Sequence, residues 1–172
     1  MKERLLGLRF MQKELIHRLL RELLKDSKRS DRELAKILDV SQATISRTRH
    51  KLETNGMIQD YTIIPDFRQM GFELFAITFV KFRPGVRTPE NMKKAKEYTT
   101  KFPNAILSAI GEGLGMNGVV ISFHKNYTHY QRNLNQLRVD WKDFVEDIQS
   151  FIVSLTEGEF KRLSLTYLKD AL

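Results

Sequence analysis

The sequence contains no cysteine, which removes disulfides, thiol nucleophiles and cysteine-ligated zinc or iron–sulfur centres from consideration. It has no uninterrupted apolar stretch of transmembrane length, and its opening, MKERLLGLRFMQKEL, is too broken by charge for a signal peptide. The chain is therefore expected in the cytoplasm and away from membranes. Internal repeats and low-complexity runs are also missing, and no glycine-rich loop ends in the Lys-Ser/Thr pair of a phosphate-binding P-loop. Nothing in the sequence calls for a cofactor or a bound metal. What remains is 172 residues, 41% hydrophobic, enough for one core or two small ones. The formal charge of +8 fits a polyanionic partner. Up to Pro65 there are 14 basic against 9 acidic residues, and after it 15 against 12, so the excess is +5 and then +3 and is denser in the first third.

That first third holds the most informative segment, SDRELAKILDVSQATISRTRHKLETNG at residues 30–56. Ser30 with Glu33 three residues on makes a capping box, so a helix is predicted from Asp31. Leu34, Ile37 and Leu38 turn one apolar face inward, and Ala35 is small where two helices must approach closely at a tight corner. Asp39 and Val40 form the turn, Asp39 tolerating left-handed geometry better than most residues. Ser41 caps a second helix, Gln42 to about Thr54, which Asn55 and Gly56 end. Within it Ile45 and Leu52 mark the buried stripe, leaving Gln42, Ala43, Ser46, Arg47, His50 and Lys51 outside. That outer face offers donors and no acid, the chemistry an α-helix needs in the major groove. Ser41, Gln42, Ala43, Thr44, Ser46, Arg47, Arg49, His50 and Lys51 are the candidate DNA contacts.

Leu15, Ile16, Leu19, Leu20, Leu23 and Leu24 recur at helical spacing, which predicts a first helix over about 12–25 behind the corner. Residues 1–11 could extend it or hang free. After Gly56, Ile58 to Ile64 is rich in β-branched and aromatic residues and predicts a strand stopped by Pro65, giving a winged helix-turn-helix domain over 1–65. Residues 66–71 form a linker. A second domain, 72–172, is predicted as strand Phe72–Phe82, helix Glu90–Lys101, strands Ala105–Ile110 and Gly118–His124, a long helix from Asn126 to near Asp147, and a closing strand pair, Phe151–Leu155 with Phe160–Leu168. The order βαββαβ is the ferredoxin-like plan, so the fold class is α+β.

The sequence resembles the leucine-responsive regulator/AsnC family, the feast/famine regulators, and more closely the archaeal members. The resemblance rests on Leu34-Ala35, on Ser41 through Arg47, on Lys51-Leu52-Glu53, Asn55-Gly56-Met57-Ile58 and Tyr61-Thr62, and on Gly71 before the first strand of the second domain. It implies a transcriptional regulator that binds double-stranded DNA through paired N-terminal domains, a homodimer or higher homo-oligomer built through C-terminal domains, and a small-molecule effector, an amino acid, at C-terminal interfaces. The chain departs from the family where a glycine followed shortly by an aspartate is usual between the second and third C-terminal strands. Here the run is Gly111-Glu112-Gly113-Leu114-Gly115-Met116-Asn117-Gly118. Gly111, Glu112, Gly113, Gly115 and Asn117 are the candidate effector contacts, but the missing aspartate argues against a tight amino-acid site.

Three other patterns carry weight. The Gly111–Gly118 run could cradle a phosphate or carboxylate through backbone amides, or be a hairpin bend leading into a strand. His124 and His129 lie five apart without a nearby acid, a poor metal pair and better read as surface or half-buried histidines. Relatives of the family decarboxylate sirohaem-type tetrapyrroles with histidine and arginine, so His124, His129, Arg132 and Arg138 define an enzymatic alternative. The acid-free outer helix face favours the regulator, with no catalysis. Finally, Tyr127, Tyr130, Leu134, Leu137, Trp141, Phe144 and Ile148 alternate by three and four, the spacing of a helix seam. A helix of about 21 residues would overhang its sheet and expose Trp141 and Phe144 to a partner or to the N-terminal domain.

Overall fold

The computed structural model describes residues 2–157 and 161–171, with side chains from residue 13 onward. The chain divides into two compact units, residues 1–64 together with 162–172, and residues 65–161.

In the first unit α1 (Lys2–Lys25), α2 (Asp31–Leu38) and α3 (Gln42–Thr54) enclose a core of Leu19, Leu23, Leu34, Ala35, Leu38, Ile45 and Leu52. Helix α1 starts well before residue 12, so residues 2–11 continue it. The last carbonyls of a helix have no partner within it and must find one elsewhere. Arg18 supplies one to Leu38 O at the end of α2, and Thr166 Oγ1 supplies one to Leu24 O at the end of α1. Thr166 belongs to a short 3₁₀ helix, Leu165–Asp170, whose Lys169 carbonyl accepts from Arg21. Of the predicted closing strand Phe160–Leu168, Phe160 lies outside the described residues and 161–168 form no strand; from residue 162 onward the segment groups with the first unit. The strand predicted at Ile58–Ile64 is extended backbone without ladder partners among the described residues. Alternation of side chains alone does not make a strand; a second backbone must lie alongside.

The second unit is a four-stranded antiparallel sheet in the order β2-β3-β1-β4, formed by β1 (Leu74–Phe82), β2 (Ala105–Gly113), β3 (Met116–His124) and β4 (Val145–Ser154), with α4 (Pro89–Thr99) and α5 (Tyr127–Asp140) in the connections. Residues 66–71 are a turn rather than a free linker: Asp66 Oδ1 accepts from the amides of Arg68 and Gln69, and the Phe67 ring stacks on Phe123 at 4.0 Å. On the helix-covered face Ala76 packs with Tyr130 and Leu134, and Val80 with Trp141 and Val145.

Helix α5 ends at Asp140, seven residues short of the predicted end, and β4 begins at Val145. The cause is a β-bulge, because the pairing of β4 with β1 shifts between Lys81 opposite Asp147 and Phe82 opposite Val145. One extra residue moves the inward positions from Val145 to Ile148, a step of three that imitates helical spacing. The shorter helix, 14 residues, spans roughly 21 Å and has no overhang. Trp141 is consequently buried in its own domain, 7% exposed and packed by Tyr98 and Phe144.

Between β2 and β3 the chain turns at Leu114 and Gly115, both at positive φ (54° and 71°), with Gly113 opposite Met116. That is a two-residue hairpin of the primed kind. Gly111 and Gly113 are strand residues, so the run is a hairpin and not an anion cradle. Gly118 sits in close packing: a Cβ there would lie 3.0 Å from the Phe82 ring, which would have to give way.

Candidate nucleic-acid interface

The corner between α2 and α3 is built by local bonds. Ser30 Oγ accepts from Glu33 N at 3.3 Å, and the Glu33 carboxylate accepts from Ser30 N at 2.7 Å. The Ser30 hydroxyl, which donates to the same carboxylate at 2.7 Å, and then the Ser30 amide hold the Glu33 carboxyl below its usual range. Asp39 adopts φ 54°, ψ 53°, the left-handed step that ends α2, and Val40 N returns to Ala35 O. Ser41 Oγ then accepts from Thr44 N at 3.1 Å to start α3.

Rotation of α3 is set by Ile45 and Leu52, both fully buried. Gln42, Ala43, Ser46, Arg47, His50 and Lys51 are all exposed as a result. Arg47 Nε is bonded to Ala43 O at 3.1 Å, which lays the side chain along its own helix. Ser41 and Thr44 are occupied with each other, their hydroxyls 2.8 Å apart, at the helix start.

Arg49 does not join the outer face. It follows Ile45 by four residues and so lies beside the buried stripe, a signal the spacing already carried. Its Nε sits 2.9 Å from Asp31 Oδ1, with the N–H off the hydrogen-bond line, and its Nη2 donates to Arg29 O at 3.1 Å. Arg29 is in turn ion-paired with Glu22, whose carboxyl is held low first by its bond to Lys25 and then by Arg29. Arg49 thus ties α3 to α2 and to the connection behind it. On the far side Tyr61 donates to Glu53 at 2.9 Å, anchoring the extended segment after α3 to the helix.

In the second unit the candidate effector residues do not converge on an open site. Asn117 Oδ1 accepts from Phe82 N at 2.8 Å, a structural bond, while the glycines lie along the hairpin. His124 and His129 do come together, with rings 5.4 Å apart, but Arg132 and Arg138 are exposed on α5. His124 is only 3% exposed, and burial, then the neighbouring His129, pushes its pKa down to about 4. Among the described residues no group of histidines and carboxylates is placed to hold a metal, and no helix is long and apolar enough to cross a membrane.

A helix-turn-helix ahead of a βαββαβ domain is shared with known proteins. An uncharacterised helix-turn-helix transcriptional regulator of Pyrococcus horikoshii is 42% identical over 67 residues, 39% of this chain and 45% of that protein. The regulator FL11 of Pyrococcus abyssi is 25% identical over 140 residues, covering 67% of this chain and 93% of that one. The crystal structure of an AsnC family transcriptional regulator from Agrobacterium tumefaciens superposes with a TM-score of 0.71 over 90% of this chain and 97% of its own, at 19% identity. The chain has the fold of AsnC family transcriptional regulators. No family model matches it. The chain spans about half the length of the curated relatives it matches first, 45–48% of each. The matches to these relatives cover 39–41% of this chain, and the likeness over its greater length is one of fold.

Proposed function

We propose that this chain is a sequence-specific, DNA-binding transcriptional regulator that places α3 in the major groove and dimerises through its C-terminal domain. The observation that carries the reading is the outer face of α3: Gln42, Ala43, Ser46, Arg47, His50 and Lys51 are exposed together, without an acid among them, on a helix whose rotation is fixed by Ile45, Leu52 and the Arg49–Asp31 pair. Arg47 is the side chain suited to a guanine edge, Gln42 to adenine, and Ala43 to a thymine methyl. Ser46, His50 and Lys51 suit phosphate positioning. Arg49 braces the helix. The relatives' description as helix-turn-helix transcriptional regulators supports the same reading.

Dimerisation is supported by the face of the sheet that carries no helix. Leu107, Ile121, Ile77 and Phe151 are register partners across β2, β3, β1 and β4, an apolar row running over all four strands. Phe151 is 65% exposed and Leu107 47%. Two such faces stacked back to back form an ordinary sheet-on-sheet interface. The dimer would present two copies of α3 to half-sites one helical turn apart, about 34 Å. Selecting bound duplexes from a random DNA pool tests the proposal. A palindrome with half-sites spaced by about ten base pairs, or a multiple, is expected. Enrichment of no motif would reject sequence-specific reading.

A further inference from the structure

The second unit has an internal cleft that the DNA reading does not use. Helix α4 buries none of its residues fully, and the strands beneath it offer short side chains, Ala105, Ser108 and Ala109 of β2, and Gly118 of β3. A helix over so low a floor leaves space. An inner cavity of about 70 Å³ opens between α4, α5 and the sheet, and a wider cleft of about 300 Å³ continues beneath α4. Tyr98, Thr99, Val120 and Leu137 belong to the walls of both, so the two adjoin.

Its inner end is polar, uncharged and only partly satisfied. Asn104 Nδ2 lies 3.4 Å from His124 Nδ1, an arrangement that suits the tautomer with its proton on Nε2. Nε2 lies 2.8 Å from Ser122 Oγ, and in that tautomer the serine hydroxyl keeps its proton for another acceptor. Tyr130 lines the same cavity at 5% exposure and Asn133 lines it half-buried, and neither side chain hydrogen-bonds to a described residue. These polar atoms are open to the cavity rather than sealed in the core, and so are available to a molecule that enters it. No lysine, arginine or carboxylate lines the inner cavity, and His124 is neutral there. A charged group at this inner end would be buried without a counterion, at large cost; Lys96 lines only the wider part.

We propose that this cleft binds a small uncharged alcohol or phenol, with its hydroxyl among Ser122, Tyr130 and Asn133 and its aromatic or branched body beneath α4. A hydroxyl accepts from Ser122 and donates to the asparagine or tyrosine oxygen, matching the free capacity on both sides. The wider part takes the body because Val80, Met92, Ala95 and Trp141 give it apolar walls.

The inference stands apart from the DNA reading and is tested without DNA. Trp141, the single tryptophan of the chain, lines the cleft and serves as reporter. Benzyl alcohol, benzoate and benzylamine share one body and differ in charge, so they are titrated in parallel into the full-length protein by tryptophan fluorescence and thermal shift. Benzyl alcohol should give a saturable fluorescence change and raise the melting temperature, and both ions should bind at least about tenfold more weakly. Ser122→Ala should weaken the alcohol severalfold, and Ala105→Leu, which fills the inner cavity, should abolish binding. Should the leucine variant fail to fold, the serine variant decides. Absence of saturable binding up to the solubility of the alcohol, equal binding of the ions, or binding indifferent to Ser122→Ala overturns the proposal.

Discussion

Arg49 separates the two roles that a cation on α3 can have. Replacing it with alanine removes the pair with Asp31, whose side chains are only 19% and 25% exposed, and the bond to Arg29 O. An exposed ion pair contributes up to about 1 kcal/mol, whereas breaking a fully buried one costs about 3–5 kcal/mol. This pair lies between, and Asp31 keeps favourable contact with the start of α2 after the loss, so a destabilisation of about 2 kcal/mol is expected. For a unit of this size each kcal/mol moves the midpoint by about 4–8 °C, which predicts a fall of roughly 10 °C in the melting transition of the helical unit. Arg47→Ala removes an exposed side chain and should shift it by no more than a degree or two. Circular dichroism melts of Arg49→Ala, Asp31→Asn and the double variant measure the coupling directly. DNA affinity of Arg49→Ala, measured well below its transition, should fall much less than that of Arg47→Ala. The reasoning is refuted if Arg49→Ala melts like the parent yet loses specific binding, because Arg49 would then be a DNA contact and not a brace.

Three further outcomes follow from the second unit. His124 is held neutral in the fold, its pKa lowered to about 4 against 6.5 in the unfolded chain. The unfolded state therefore binds more protons, and the stability from this residue is complete above pH 6.5 and lost as the pH falls from 6.5 to about 4. Its size is about 3 kcal/mol, and His124→Asn should flatten that stretch of a urea-stability profile against pH. Leu114 sits at φ 54° and is 84% exposed, a poor residue for a primed turn, so Leu114→Asn should raise stability by about 0.5–1 kcal/mol in urea melts; a loss would mean that the side chain has a partner in the assembly. Phe151→Lys places a charge in the apolar row of the open sheet face and should turn a dimer into a monomer by light scattering, while a dimer of unchanged mass would place the interface elsewhere.

How much of this was legible from residues alone depended on whether the determinants were local. The helix-turn-helix was, because Ser30, Glu33, Asp39 and Ser41 act on amides within five residues of themselves, and the structure starts and ends α2 and α3 where those caps direct. Strands β1 and β3 were legible from alternation. The end of α5 was not, because the bulge opposite Lys81 gave a strand the apolar spacing of a helix, and with it went the overhanging Trp141. The segment 58–64 has the composition of a strand but no neighbouring backbone to pair with. Placement of Thr166 and Lys169 on α1 depends on contacts more than 140 residues apart, which no window reveals. Of the candidate DNA contacts, Arg49 was separable in principle by its spacing from Ile45. The cleft beside His124 was not, since it arises from short residues on two strands facing a helix.

The central claim rests on the outer face of α3, and the most direct measurement is fluorescence anisotropy on the selected duplex and on a scrambled one, for the parent, Arg47→Ala and Lys51→Ala, across 50–200 mM salt. Arg47→Ala should lose about 1–3 kcal/mol on the selected duplex and little on the scrambled one. Lys51→Ala should weaken binding to both and reduce the slope of log affinity against log salt by about one. Unchanged affinity and slope in both variants would contradict the account, because the face that defines the proposed interface would then not touch DNA.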